Sequence, residues 1–294
     1  MSARLELGIS PCPNDTFAFH ALLAGKIDTR GLELGIEFDD IERLNARLLA
    51  GELDAAKGSF ATALRANGEL AVLASGAALG FGVGPLLLAA RGRTHPREPI
   101  PGGKRGSREP LVLCPGEHTT ASLLYRLFHA GEGRVEQVAF SAILPALARG
   151  EADFGVCIHE GRFTWPRYGL GLVEDLGRTW EERTGCALPL GGILVRRSLG
   201  EERARALALA VRDSIEHAFA HRDEALATMR AHAQELDDEV LWKHVELYVN
   251  EETRELSDDG RKALAALAEL ARSAGLIATS DSELRIVGSE PEGR

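Results

Sequence analysis

Hydrophobic positions alternate at the start of the chain, where Leu5, Leu7 and Ile9 share one face of a predicted strand over residues 4–10. That strand runs into the loop Ser10-Pro11-Cys12-Pro13. Asn14 or Asp15 is then expected to cap a helix from about Thr16 to Ala24, closed by Gly25. Alternation returns in LELGIEF (32–38). IERLNARLLA (41–50) switches to helical spacing, with Ile41, Leu44 and Leu48 on one side and Gly51 as its stop, and a third strand runs toward Lys57 and Ser59. The same order recurs from Leu111. There, strand LVLC is followed by a loop at Pro115-Gly116 and a helix from near Thr119, then strand VEQVAF (135–140), helix AILPALAR (142–149) and strand FGVCI (154–158). Each third strand is preceded by a Gly-Glu-x-Asp step, at 51–54 and 150–153. Five elements in matching order point to an internal duplication.

Between and beyond the two segments the pattern changes. Residues 70–90 carry no charge and are long enough to span a bilayer, but Gly76, Gly80, Gly82, Gly84 and Pro85 divide them into two short apolar runs, LAVLAS and PLLLAA. Two buried strands are expected there. CALPLGGILVRRS (186–198) reads as a strand returning from the second segment, and helical spacing then dominates 201–220, 222–234, 238–249 and 258–274. The expected fold is α/β and two-lobed. Lobe 1 comprises 1–88 and 191–294 and includes a helical C-terminal third, lobe 2 comprises 89–190, and the two are expected to face each other across a cleft. Residues 91–110, with six Lys/Arg, four Gly and four Pro, read as a solvated connection, with a basic binding loop as the sharper alternative.

Composition narrows the function. The net charge is −10 and 16 of the 294 residues are aromatic, which leaves no electrostatic or stacking basis for nucleic acid or anionic lipid as partners. Cys12, Cys114, Cys157 and Cys186 are too dispersed for a zinc site or disulfide framework, and MSARLELGIS has no secretory h-region, so a cytoplasmic protein with reduced thiols is expected. A small-molecule carboxylate is the expected partner. The apolar faces of the C-terminal helices could also serve a homodimer.

In open α/β sheets, ligands bind at the carboxyl ends of the strands. That rule gathers Ser10–Thr16, Lys57–Ser59, Gly116–Ala121 and Ile158–Trp165. The first and third segments are helix N-termini suited to an anion, with Lys57 and Ser59 as further candidates and with hydroxyls from Thr119 and Thr120. His159 closes a buried-looking strand, and an imidazole there can take a proton near neutral pH. A hydrogen-bonded structural role is its plain alternative, and His118 is its rival. Cys12, flanked by two prolines, is as suited to a steric role as to a nucleophilic one. Other motifs fail. Gly80–Gly84 is GxGxG and leads into a strand, His159-Glu160 is not HExxH, and no P-loop or metal-ligand cluster is present, so no cofactor or metal is expected.

Taken together, SPCPNDTF (10–17), GVGPL (82–86), GEHTTA (116–121), IHEGRFTWPRYGL (158–170) and LPLGGI (188–193) resemble the 1,4-dihydroxy-6-naphthoate synthase family over nearly the whole chain. The resemblance implies a type II periplasmic-binding-protein-like fold and a lyase of the futalosine route to menaquinone. It implies cyclic de-hypoxanthine futalosine as substrate, and naphthoate plus a three-carbon dihydroxyacetone fragment as products. It assigns the catalytic base to His159 and substrate contacts to Lys57, Gly58, Ser59, Thr120 and Ala121. Two features depart from the family pattern, namely the length of 91–110 and a glycine at 58, where bulkier residues are usual. Chorismate dehydratase of the same pathway, whose fold is similar, and a non-enzymatic small-carboxylate-binding protein are the alternatives. Seven aromatics (Phe17, Phe19, Phe60, Phe81, Phe163, Trp165 and Tyr168) lie in or beside the motifs, where a bicyclic ligand needs apolar walls.

Overall fold

The computed structural model describes residues 4–93, 95, 109–233, 237–278 and 284–288. The chain divides into two compact units, Met1–Gly80 with Pro189–Arg294, and Phe81–Leu188. The basic stretch 91–110 lies largely outside the described residues.

The first segment forms β1 (Leu5–Ile9), α1 (Pro13–Ala18), α2 (His20–Leu23), β2 (Leu34–Phe38), α3 (Ile41–Ala50), β3 (Ala55–Ser59), α4 (Phe60–Arg65), β4 (Leu70–Leu73) and β5 (Ala78–Gly80). The second unit contains β6 (Leu86–Ala89), β7 (Leu111–Cys114), α5 (Thr120–Phe128), β8 (Arg134–Gln137), α6 (Phe140–Ala148), β9 (Phe154–Cys157), α7 (Gly161–Thr164), β10 (Gly171–Asp175) and α8 (Leu176–Thr184). The chain then returns through β11 (Leu188–Arg196) to α9 (Glu201–Ala220), α10 (Arg222–His232), α11 (Asp238–Tyr248), α12 (Glu251–Arg254), α13 (Asp258–Ser273) and β12 (Ile286–Val287).

The duplication is visible in the two sheets. In the first, β1 lies parallel between β2 and β3; in the second, β7 lies parallel between β8 and β9. The outer side of β3 pairs antiparallel with β11, and the outer side of β9 pairs antiparallel with β6. Each third strand is therefore flanked by the strand that enters from the other unit's stretch of chain. The apolar stretch 70–90 makes three short strands, not two, because β5 forms a separate strand paired with β11.

In the first unit the inward residues of β1 (Leu5, Leu7, Ile9) pack with Ile193 and Val195 of β11 and with Leu207, Val211 and Ile215 of α9. Helices α10 and α11 form a second cluster around Phe17, with Met229, Leu241 and Val245. The core of the second unit joins Leu86 and Leu88 of β6, Leu111 and Leu113 of β7, and Ile143, Leu144 and Leu147 of α6. Among the described residues no helix is long and apolar enough to cross a membrane.

Candidate functional site

In the first unit the segment after β1 does not fold as the capping pattern suggests. Helix α1 begins at Pro13, whose fixed φ suits a first helical position, and Cys12 is its N-cap without a side-chain cap. Asn14 and Asp15 thus sit inside the helix with buried side chains. Asp15 accepts from the Ser10 hydroxyl at 2.5 Å and from the Asn14 amide at 2.8 Å. Lys57 Nζ lies 3.0 Å from Asp15 Oδ1 and donates to the Gly76 carbonyl at 3.0 Å. Behind Asn14, His244 of α11 donates from Nε2 to its Oδ1 at 2.9 Å.

This arrangement changes the roles expected of the segment. The Asp15 carboxylate already occupies the first turn of α1, where an external anion was expected, and it neutralises Lys57. Lys57 therefore presents an ammonium hydrogen from within an ion pair, not a free positive charge.

Ser59 ends β3 and is held from both sides by Asn45. Its amide donates to Asn45 Oδ1 at 2.9 Å, and the Asn45 amide donates to its hydroxyl at 3.2 Å. Gly58 points its missing side chain at this clamp. A Cβ there would stand 2.7 Å from Leu194 Cδ1 and 2.9 Å from Asn45 Oδ1. Sequence reasoning missed Asn45, although a polar residue beside Leu44 and Leu48 on the apolar side of α3 was the available signal.

In the second unit, β7 and β9 are adjacent parallel strands, so the loops after them leave the same sheet edge. After β7, Thr119 caps α5 by accepting from the Ser122 amide at 3.1 Å, and its hydroxyl donates to the Gly116 carbonyl at 2.9 Å. Ser122 also donates to that carbonyl at 2.6 Å, and the Gln137 side chain accepts from the Gly116 amide at 3.0 Å. The loop is thereby fixed around the helix N-terminus, where Thr120 and Ala121 are the first two helical residues. Both residues are buried, and His118 is half-buried just ahead of the cap.

After β9, His159 takes a left-handed conformation (φ 54°), rare for a residue with a side chain. Its half-buried ring meets Phe140 edge-to-face at 4.9 Å between centroids. The turn closes with Arg162 N–H donating to the His159 carbonyl at 3.1 Å. Gly161 packs against Cys157, with the thiol sulfur 2.4 Å from where a Cβ would lie. Burial pushes the thiols of Cys114 and Cys157, at the ends of β7 and β9, up to about 12, so both remain protonated and neither serves as a nucleophile near neutral pH.

The aromatics divide. Phe17, Phe19 and Phe60 are buried in the first unit, Phe19 in the core of β1, β11 and α9, Phe17 among α10 and α11, and Phe60 beside Gly192 of β11, so they present no open wall to a ligand. Phe163, Trp165 and Tyr168 remain partly or largely exposed around the His159 loop.

A family model described as menaquinone biosynthesis matches residues 5–273. The chain is 48% identical over 280 residues to a Thermus thermophilus protein named 1,4-dihydroxy-6-naphthoate synthase, covering 95% of this chain and 98% of that one. It is 39% identical to a protein of the same name from Streptomyces coelicolor, covering 93% and 94%. A crystal structure of an Archaeoglobus fulgidus protein superposes with a TM-score of 0.82 at 31% identity, covering 93% of this chain and 98% of that one. The ligand-binding component of an ABC-type import system from Staphylococcus aureus gives a TM-score of 0.69 at 12% identity, covering 97% of each chain, and shows the periplasmic-binding-protein-like fold alone. The chain therefore belongs to the menaquinone-biosynthesis family, among the relatives named 1,4-dihydroxy-6-naphthoate synthase.

Proposed function

We propose that the protein is a carbon–carbon lyase that converts cyclic de-hypoxanthine futalosine to 1,4-dihydroxy-6-naphthoate and releases dihydroxyacetone, with His159 as general base. The observation that carries this reading is the imidazole held at the carboxyl end of β9, on the sheet edge from which the loop to α5 also leaves. The Thr120 and Ala121 amides, at the positive end of a nine-residue helix, suit the aromatic carboxylate of the substrate. His159 accepts a proton as the ring-to-fragment bond cleaves in retro-aldol fashion, the proton returns to the products, and aromatisation drives the step. In the first unit we assign substrate contacts to Ser59 and Lys57, and to Gly58 only through its backbone. We also propose a cytoplasmic setting, as the dispersed spacing of the four cysteines in the sequence suggests.

The test is incubation of the purified protein with cyclic de-hypoxanthine futalosine while following the naphthoate chromophore. Turnover is expected, and His159→Ala is expected to lower it by about 10²- to 10⁴-fold. Near wild-type turnover by His159→Ala would remove the base assignment, and product formed from chorismate instead would move the protein to the dehydratase reaction.

A further inference from the structure

The side chain of Arg162 ties the loop that carries His159 to the neighbouring strands. Strands β10, β6 and β9 lie side by side, and their register sets Asp175 opposite Leu86 and Leu86 opposite Cys157. Three strand ends are therefore level, and the Arg162 guanidinium lies across them. One arm donates to the Gly84 carbonyl just ahead of β6, and the other donates to Asp175 Oδ2 at the end of β10, at 2.7 Å. The side chain is only 15% exposed.

Neither acceptor is free to move with the arginine. Asp175 Oδ1 caps α8 by accepting from the Gly177 and Arg178 amides at 3.0 and 3.2 Å. Gly84 lies in backbone contact with Gly177, whose Cα is 2.2 Å from where a Gly84 Cβ would stand. The Arg162 main chain in turn closes the turn on the His159 carbonyl. A disfavoured left-handed residue persists only where its surroundings over-determine it, and this clamp supplies that constraint.

We infer that Arg162 is the positioning residue of His159: its guanidinium, forked between Gly84 and Asp175, fixes the loop in the conformation that sets the direction of the imidazole. The inference rests on the reading of His159 as the base. A lysine cannot replace the fork, because one compact ammonium head does not reproduce a planar two-armed donor.

The test compares Arg162→Ala, Arg162→Lys and Asp175→Asn with His159→Ala in the full-length protein, each checked for folding by circular dichroism. Arg162→Ala is expected to lose about 10- to 100-fold in kcat with KM held within about threefold, because misplacing a reacting group costs rate more than affinity. Arg162→Lys recovers little, and added guanidinium restores part of the kcat of Arg162→Ala while leaving His159→Ala unchanged. Asp175→Asn keeps the cap of α8 but removes the charged partner; it shows the same kcat-specific loss and carries the test if Arg162→Ala does not fold. Wild-type kcat in a folded Arg162→Ala or Asp175→Asn overturns the inference, as does a rise in KM at unchanged kcat. If His159→Ala turns over normally, the base reading itself has failed. If His159→Ala is inactive while the Arg162 and Asp175 variants are unimpaired, this inference alone has failed.

Discussion

Gly58 is constrained by the volume of its neighbours, since its backbone is ordinary strand and only the missing Cβ matters. Leu194 and Asn45 fill the space that a side chain at this position would need. Gly58→Ala must displace the Asn45 oxygen from the Ser59 amide or push Leu194 aside, and is expected to cost about 1–3 kcal/mol. The denaturation midpoint checks it, and an unchanged midpoint would mean the clamp yields freely. The sequence exposed the chemistry-bearing residues at this scale but not their partners. Lys57 reads, with Ser59, as an anion-binding candidate at a strand end. Its neutralising carboxylate, Asp15, is 42 positions earlier and reads locally as a helix cap. Arg162 was visible as part of a motif, yet its grip on Gly84 depends on a strand pairing that no local pattern encodes.

At the level of elements, periodicity and punctuation identified most of what forms. Helix α3 starts at the Asp40 cap and ends at left-handed Gly51, and α5 starts at Thr119, because both use local signals that act within a turn. The helix expected over residues 16–24 instead begins at Pro13 and breaks at Phe19 into α1 and α2. Proline at the first position and inward-facing partners for Asn14 and Asp15 outweigh the capping preference of those two residues. A second contact at this scale is the approach of the chain ahead of β6 to the start of α8. Gly84→Ala would place a methyl group against the Gly177 backbone, where no side chain can turn away. A loss of about 3 kcal/mol is expected in chemical denaturation. Gly82→Ala is the control: it has open space around it, though its positive φ adds a smaller strain of its own.

Across the whole molecule, the duplication read from two matching runs of elements is what the two sheets display, and their composite build has two further effects. One is a pH dependence set where the C-terminal helices meet the first segment. His20 of α2 is buried and its Nδ1 lies 2.7 Å from the Thr228 hydroxyl of α10. Burial, reinforced by His217, holds its imidazole below the ordinary value, and burial with His221 does the same for His217. The unfolded chain therefore binds more protons as pH falls through about 6.5, so this stability is complete above that pH and is lost toward the lowered folded values. The melting temperature is expected to drop between about pH 7 and about pH 5, and to drop less in His20→Gln. The other effect concerns synthesis. β11 sits inside the first sheet, paired with β3, β4 and β5, yet all of Phe81–Leu188 is translated before it is complete. At roughly 5–20 residues per second the ribosome leaves β3 with one bare edge for on the order of ten seconds. The contiguous second unit has every one of its strands in hand during that interval. The nascent chain thus finishes its second unit first, and the waiting edge of β3 is where a holding chaperone would have most to protect.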